Sequence, residues 1–218
     1  MRKLQLITIL LVLILTSTYS QTIVEITTNY GVIKLKLYDE TPIHKENFLK
    51  LVETHFYDSI LFHRVIKDFM IQAGDDQSKH SLPGTFLGSG GKKYTIPAEF
   101  RPNLIHKKGA LAAARQGDQV NPQKEPSGSQ FYIVVGRVFT EQELNYIEKQ
   151  YNRIPFTPDQ REIYTTIGGT PHLDYAYTVF GEIVDGINIV EEISKVETDR
   201  NNRPLKDVRI LKAQVIKK

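Results

Sequence analysis

Beyond residue 20, apolar and polar positions alternate with a period of two. "IVEITTNYGVIKLKLYD" (23–39) sets Ile33, Leu35 and Leu37 on one side and Lys34 and Lys36 on the other, after Asn29-Tyr30-Gly31. That pattern predicts a β-hairpin with one wet face. The period then lengthens. Thr41 offers an N-cap, Pro42 suits the first helical position, and Phe48, Leu51, Val52 and Phe56 recur at helical spacing, which predicts one helix of about four turns.

Between 60 and 135 the chain returns to short apolar runs broken by Gly, Pro and Asn: "LFHRVI", "FMIQAG", "GALAAA" and "SQFYIVVG". "AYTVFGEIV" and "VRILKAQVI" complete the set, and the alternation of the last slips one place near Leu211, as a bulge would make it. Closely spaced strands with few helices predict a mainly β barrel or sandwich, and a last strand paired with the first hairpin would close a barrel. The stretch at about 137–170 breaks this rhythm. Thr140 with Glu143 and Thr157-Pro158 with Gln160 form two capping boxes, so a helical hairpin is expected between two strands. No composition shift flanks it, and residues 21–218 are read as one domain.

Residues 1–20 stand apart. Arg2 and Lys3 precede an apolar run from Leu4 to Leu15 and then Thr16, Ser17, Thr18 and Ser20, the layout of a secretory signal peptide cleaved after Ser20. A run of about 12 residues is short against the roughly 20 that span a bilayer. The mature chain is therefore expected to be exported, periplasmic or secreted, with no stable membrane anchor. The sequence has no cysteine, which removes a lipidated terminus, disulfides, thiolate zinc sites and a cysteine nucleophile together. A net formal charge of +3, smaller still without Arg2 and Lys3, argues for no nucleic-acid partner.

Familiar catalytic patterns are missing. His44, His55, His63, His80, His106 and His172 show no metal-ligand spacing, and no Gly-x-Ser-x-Gly elbow occurs. Asp75, Asp76, Glu99 and Asp174 are not paired by spacing, and "GTFLGSGGKKY" (84–94) has no lysine and hydroxyl at the offsets of a phosphate loop, so it is read as a surface turn. Neither a metal nor a cofactor is expected.

What remains is "FHRVIKDFMIQAGD" (62–75), two apolar runs that each enclose a polar residue, Arg64 in the first and Gln72 in the second. This stretch resembles the signature of the cyclophilin family of peptidyl-prolyl isomerases, and "GSQFYI" (128–133) resembles that family's second hallmark. The resemblance implies a closed eight-stranded antiparallel β-barrel capped by helices, with a shallow peptide groove on its outer surface. By motif, Arg64 matches the catalytic arginine, and Phe69, Met70 and Gln72 match pocket residues. "GALAAARQG" places Ala114 and Arg115 beside the substrate backbone, "GSQFY" supplies Gln130 and Tyr132, and "PHLDYAYTVFG" supplies His172, Leu173 and Tyr177. Departures are His172, where eukaryotic members often have tryptophan and which implies weak cyclosporin binding, and Tyr177, where many have histidine. Arg115 stands at a place usually asparagine; family contacts there run through the backbone, so the resemblance implies that the change is tolerated, while an extra charge could alter which peptides bind. The helical hairpin and the loop "DQVNPQKEPSG" (118–128) have no counterpart in the shortest members.

The chemistry suits such a chain. Rotation about an Xaa-Pro bond breaks amide resonance over a barrier of about 18–20 kcal/mol but makes and cuts no bond, so it needs neither nucleophile nor metal. The twisted proline nitrogen regains a lone pair, and an arginine donor is worth more there than in the planar ground state. Proline-containing peptides and unfolded polypeptides are the expected partners of a monomer that assists folding of exported proteins. The alternative is a non-catalytic proline-peptide binding module or chaperone holdase, motivated by His172, Arg115 and the inserted hairpin.

Overall fold

The computed structural model describes residues 21–151 and 153–217, so the signal-peptide expectation lies outside the described residues. The elements run β1 (Ile23–Thr28), β2 (Gly31–Leu37), α1 (Pro42–Glu53), β3 (Arg64–Ile66), β4 (Met70–Ala73), β5 (Ala110–Ala113) and β6 (Phe131–Val134). They continue with α2 (Glu141–Gln150), α3 (Pro158–Thr166), β7 (Val179–Asp185), α4 (Ile187–Ile193) and β8 (Ile210–Lys217). The strands form one eight-stranded sheet in the order β3-β4-β6-β5-β7-β2-β1-β8. Every ladder is antiparallel.

The last strand does pair with the first hairpin. β8 lies against β1 with Thr27 opposite Lys212 and Thr28 opposite Ile210, which leaves Leu211 as the extra residue of a bulge. The expected closed barrel is nevertheless wrong. β3 and β8 are the two ends of the sheet, and no ladder joins them, so the sheet curls into an open half-barrel. Among the described residues the seam is bridged over one short stretch: Leu61 bridges Arg209, the Ser59 and Phe62 N–H groups donate to the Ile210 and Val208 carbonyls, and the Ile210 N–H donates to the Ile60 carbonyl. The chain enters this stretch through positive-φ residues at His55 and Ser59, and the strand that follows it, β3, is only three residues long.

Alternation along the strands separates two apolar layers. Ile71, Leu111, Phe131 and Ile133 point inward with Val24, Ile26, Ile33 and Leu35, and α1 covers this core with Phe48, Leu51 and Val52. Met70, Ala112, Tyr132 and Val134, each one residue out of phase, point to the outer face and pack with Leu173 and Val179. That outer face carries the site.

Three local features set the loops around it. Thr41 occupies the N-cap of α1 but makes no capping bond; Glu99, from a distant loop, accepts from the backbone N–H groups of Ile43 (3.3 Å) and His44 (2.9 Å) instead. Both capping boxes of the inserted hairpin are formed, at Thr140/Glu143 and Thr157/Gln160. The base of that hairpin is tight: at Gly169, φ +156°, an added Cβ would lie 2.2 Å from the His106 carbonyl oxygen.

Candidate active site

The outer face of β3, β4, β6 and β5 presents one cross-strand row. Arg64 is the register partner of Gln72, Gln72 of Tyr132, and Tyr132 of Ala112. Antiparallel pairing puts register partners on the same face, so the polar residues that interrupted the apolar runs stand side by side. Asp68, with φ 58°, turns β3 back into β4 and delivers Phe69 and Met70 to the same side.

Arg64 is held by one edge. Its Nη1 donates to Gln72 Oε1 at 3.1 Å, Gln72 Nε2 donates to Gln130 Oε1 at 2.9 Å, and Gln130 Nε2 donates to the carbonyls of Gly88 (2.9 Å) and Gly90 (2.8 Å). This relay ends on a loop folded around the buried Asp75 carboxylate and the exposed Asp76. Asp75 accepts from the N–H groups of Gln77, Gly88 and Gly90, and Asp76 accepts from Gly91. At Gly90 an added Cβ would lie 2.0 Å from Asp75 Oδ1, so only glycine fits. Among the described residues neither Nε nor Nη2 of Arg64 has a hydrogen-bond partner. Burial lowers the Arg64 pKa, but a guanidinium stays charged, and its free donors adjoin a cleft of about 570 Å³.

The walls of that cleft are apolar and aromatic. Phe69 lies with its ring centroid 6.0 Å from the guanidinium carbon, and Met70, Tyr132, Leu173, Tyr177 and Ala114 complete the surface. Tyr132 meets Tyr177 edge to face at 6.0 Å, and burial pushes the Tyr132 hydroxyl well above its usual pKa, so it stays protonated. Arg115 is no free charge. Its side chain is 3% exposed, Nε donates to the Ala176 carbonyl at 2.7 Å, Nη1 meets Asp118 at 2.7 Å, and the guanidinium stacks 4.4 Å from the Tyr177 ring. It packs against Tyr177 with its charge paired to Asp118.

The model of the family described as cyclophilin type peptidyl-prolyl cis-trans isomerase/CLD matches residues 23–215. The chain belongs to this cyclophilin family. A Staphylococcus aureus (strain USA300) protein named as a peptidyl-prolyl cis-trans isomerase is 35% identical over 185 residues, covering 83% of this chain and 85% of that one. A Streptococcus pyogenes protein named as a bifunctional phosphatase/peptidyl-prolyl cis-trans isomerase is 36% identical over 191 residues; the match covers 85% of this chain but only 37% of that longer protein. Among solved structures, a cyclophilin type peptidyl-prolyl cis-trans isomerase of Cryptosporidium parvum aligns with a TM-score of 0.63 at 25% identity, over 90% of this chain and 98% of that one. The same protein crystallised in the presence of the dipeptide Ala-Pro gives 0.62 at 24% identity, over 88% and 98%.

In this cyclophilin, Arg64, Phe69, Met70, Gln72, Ala114, Arg115, Tyr132, Leu173 and Tyr177 all line the one cleft. Gln130 stands one step back, as the brace of Gln72. His172 lies behind the wall, its ring stacked on Phe69 at 5.8 Å, and burial lowers its pKa. Motif reading missed the opposite wall, made by Thr85–Ser89 and by Asp199–Arg203. The first of these is the glycine loop read as a surface turn. Arg203 ties the two together, since its Nη1 donates to the carbonyls of Leu82 and Thr85. His63 also reaches the cleft; it is 3% exposed, and burial pushes its pKa down to about 4.

Proposed function

We propose that this chain catalyses cis–trans rotation about Xaa-Pro bonds of exported polypeptides, with Arg64 donating to the proline nitrogen as it twists. The observation that carries the reading is a guanidinium braced through Gln72 with Nε and Nη2 unengaged, beside the apolar surface of Phe69, Met70, Tyr132 and Leu173. That surface grips the pyrrolidine ring and keeps water away, and the lower local dielectric strengthens the arginine's hydrogen bond. With the ring held, the residue preceding proline turns. A stabilisation of about 5–8 kcal/mol corresponds to about four to six decades in rate, which one charge-assisted donor plus positioning can supply.

The free donors of Arg64 favour turnover over mere capture, since a binding module has no need of a group that acts only at the twisted geometry. Proline-containing peptides, in unfolded chains, are the substrate class, and the chain acts as a monomer without nucleic acid. Export rests on the layout of residues 1–20. An isomerisation assay without a coupling protease, on an Xaa-Pro peptide with residues 21–218 beside Arg64→Ala, tests the catalytic part. Acceleration that drops at least about a hundredfold in the variant is expected; no acceleration, or full activity without Arg64, sinks it. Export is tested by N-terminal sequencing of the extracytoplasmic protein, which should begin at Gln21.

A further inference from the structure

The hairpin between β6 and β7 touches the cleft from behind at two separate places. Tyr151, just after α2, has its ring 6.4 Å from that of His172, and His172 is stacked on Phe69 at 5.8 Å with an interplanar angle of 22°. The second route is polar and buried. Tyr164 of α3 donates its hydroxyl to Asp174 Oδ2 at 2.7 Å, and Arg153, between α2 and α3, reaches the same oxygen at 3.5 Å. The other carboxylate oxygen, Oδ1, accepts from the His106 backbone N–H at 2.8 Å and lies 2.9 Å from His106 Nδ1. His106 Nε2 lies 2.9 Å from the Tyr132 hydroxyl.

The chain of donors has a direction. An ionised carboxylate only accepts, so the His106 proton on Nδ1 faces Asp174, and in the neutral ring Nε2 accepts the Tyr132 hydroxyl. His106 and Tyr164 are fully buried, and Tyr132 and Asp174 nearly so, hence each bond is made away from water. In such surroundings an unpaired member is costly, which holds the linked groups in one arrangement.

We propose that the α2–α3 hairpin is a positioning element of the isomerase site. It supports Phe69 through Tyr151 and His172, and Tyr132 through Tyr164, Asp174 and His106, and so sets the width of the slot that receives the proline ring. Arg64 makes its own hydrogen bond to Gln72, which belongs to neither route. Loosening the hairpin therefore weakens grip on the substrate and leaves the chemical step alone, a split that a merely structural role would not produce. The inference rests on the proposed isomerase reading of the cleft.

The test uses the full chain with Tyr151→Ala, Tyr151→Phe, Tyr164→Phe and the Tyr151→Ala/Tyr164→Phe double variant, measuring kcat and KM separately on an Xaa-Pro peptide. Tyr151 is largely exposed, so its replacement spares the fold even where Tyr164→Phe does not. Tyr151→Ala and Tyr164→Phe should each raise KM about three- to tenfold with kcat within about twofold of wild type, and Tyr151→Phe, which keeps the ring against His172, should restore KM. A folded Tyr151→Ala with unchanged KM, or a Tyr151→Phe as weak as the alanine, overturns the proposal. If the wild type shows no turnover, the isomerase reading falls, and the hairpin's role is then read from the Kd of the same peptide by NMR titration. A Kd indifferent to Tyr151→Ala overturns it there too.

Discussion

Arg64 and Gln72 face each other across the β3–β4 ladder, and the guanidinium meets the amide oxygen at 3.1 Å. Gln72 is in turn pinned by Gln130, so the arginine's orientation is fixed by a neutral relay rather than by a carboxylate that would compete with substrate. Gln72→Leu keeps the volume and removes the acceptor. It should lower kcat/KM about ten- to a hundredfold by freeing the guanidinium to swing, with little change in thermal stability. Full activity in this variant would show that the brace is dispensable.

The start of α1 is capped from far away in the sequence. Glu99 serves the Ile43 and His44 N–H groups and lies 2.6 Å from His44 Nδ1, while the buried Thr41 hydroxyl finds no partner among the described residues. Glu99→Ala should therefore destabilise the protein by about 2–4 kcal/mol, whereas Thr41→Val should lie within about 0.5 kcal/mol of wild type. Urea denaturation of both variants decides it, and a reversed ranking would restore Thr41 as the working cap.

His63 makes stability depend on pH. Unfolded, it takes a proton near 6.5; folded, burial first and the charges of Arg64 and Arg203 next delay this to about 4, against the pull of Asp75. Between those values the unfolded chain binds more protons, so stability falls as pH falls, by up to about 3 kcal/mol. His44 and His172, both lowered by burial, act in the same direction. Denaturation midpoints from pH 7 to 4 should decline, and less steeply in His63→Gln. An equal slope in that variant would remove His63 from the account.

Arg115 is neutralised by Asp118 and packed on Tyr177. Lysine cannot reproduce the planar stack and the Ala176 contact together. Arg115→Lys should raise KM about equally for peptides with acidic, neutral or basic residues beside proline. Selective loss on acidic peptides would mean that the side chain does meet substrate as a charge.

The elements legible in the sequence are those whose cause is local. The first hairpin, the two capping boxes and the bulge at Leu211 are each written within a few residues, and the signature stretch placed Arg64 and Gln72 before their register was known. What escaped depends on distant partners. The open seam depends on where residues 59–62 meet 208–210; the cap of α1 comes from Glu99; and the two parts of the second cleft wall are joined by Arg203, which binds the carbonyls of Leu82 and Thr85. The short α4 has Gly186 at its N-cap and no side-chain cap, so it carries no start signal to read. The pairing of Arg115 with Asp118 and its bond to the Ala176 carbonyl are likewise not announced by residue type.

The open seam leaves Arg64 on a terminal strand of the sheet, and a terminal strand is a template on which stray polypeptide can add itself. Here an outward donor is already engaged: the Val65 N–H donates to the Asn202 carbonyl at 2.8 Å, and just before the strand that of Phe62 donates to Val208 at 2.8 Å. For a protein proposed to handle unfolded chains, this matters beyond stability. An engaged N–H makes β3 a poorer template for backbone zippering, which would hold clients beside the cleft and seed aggregates.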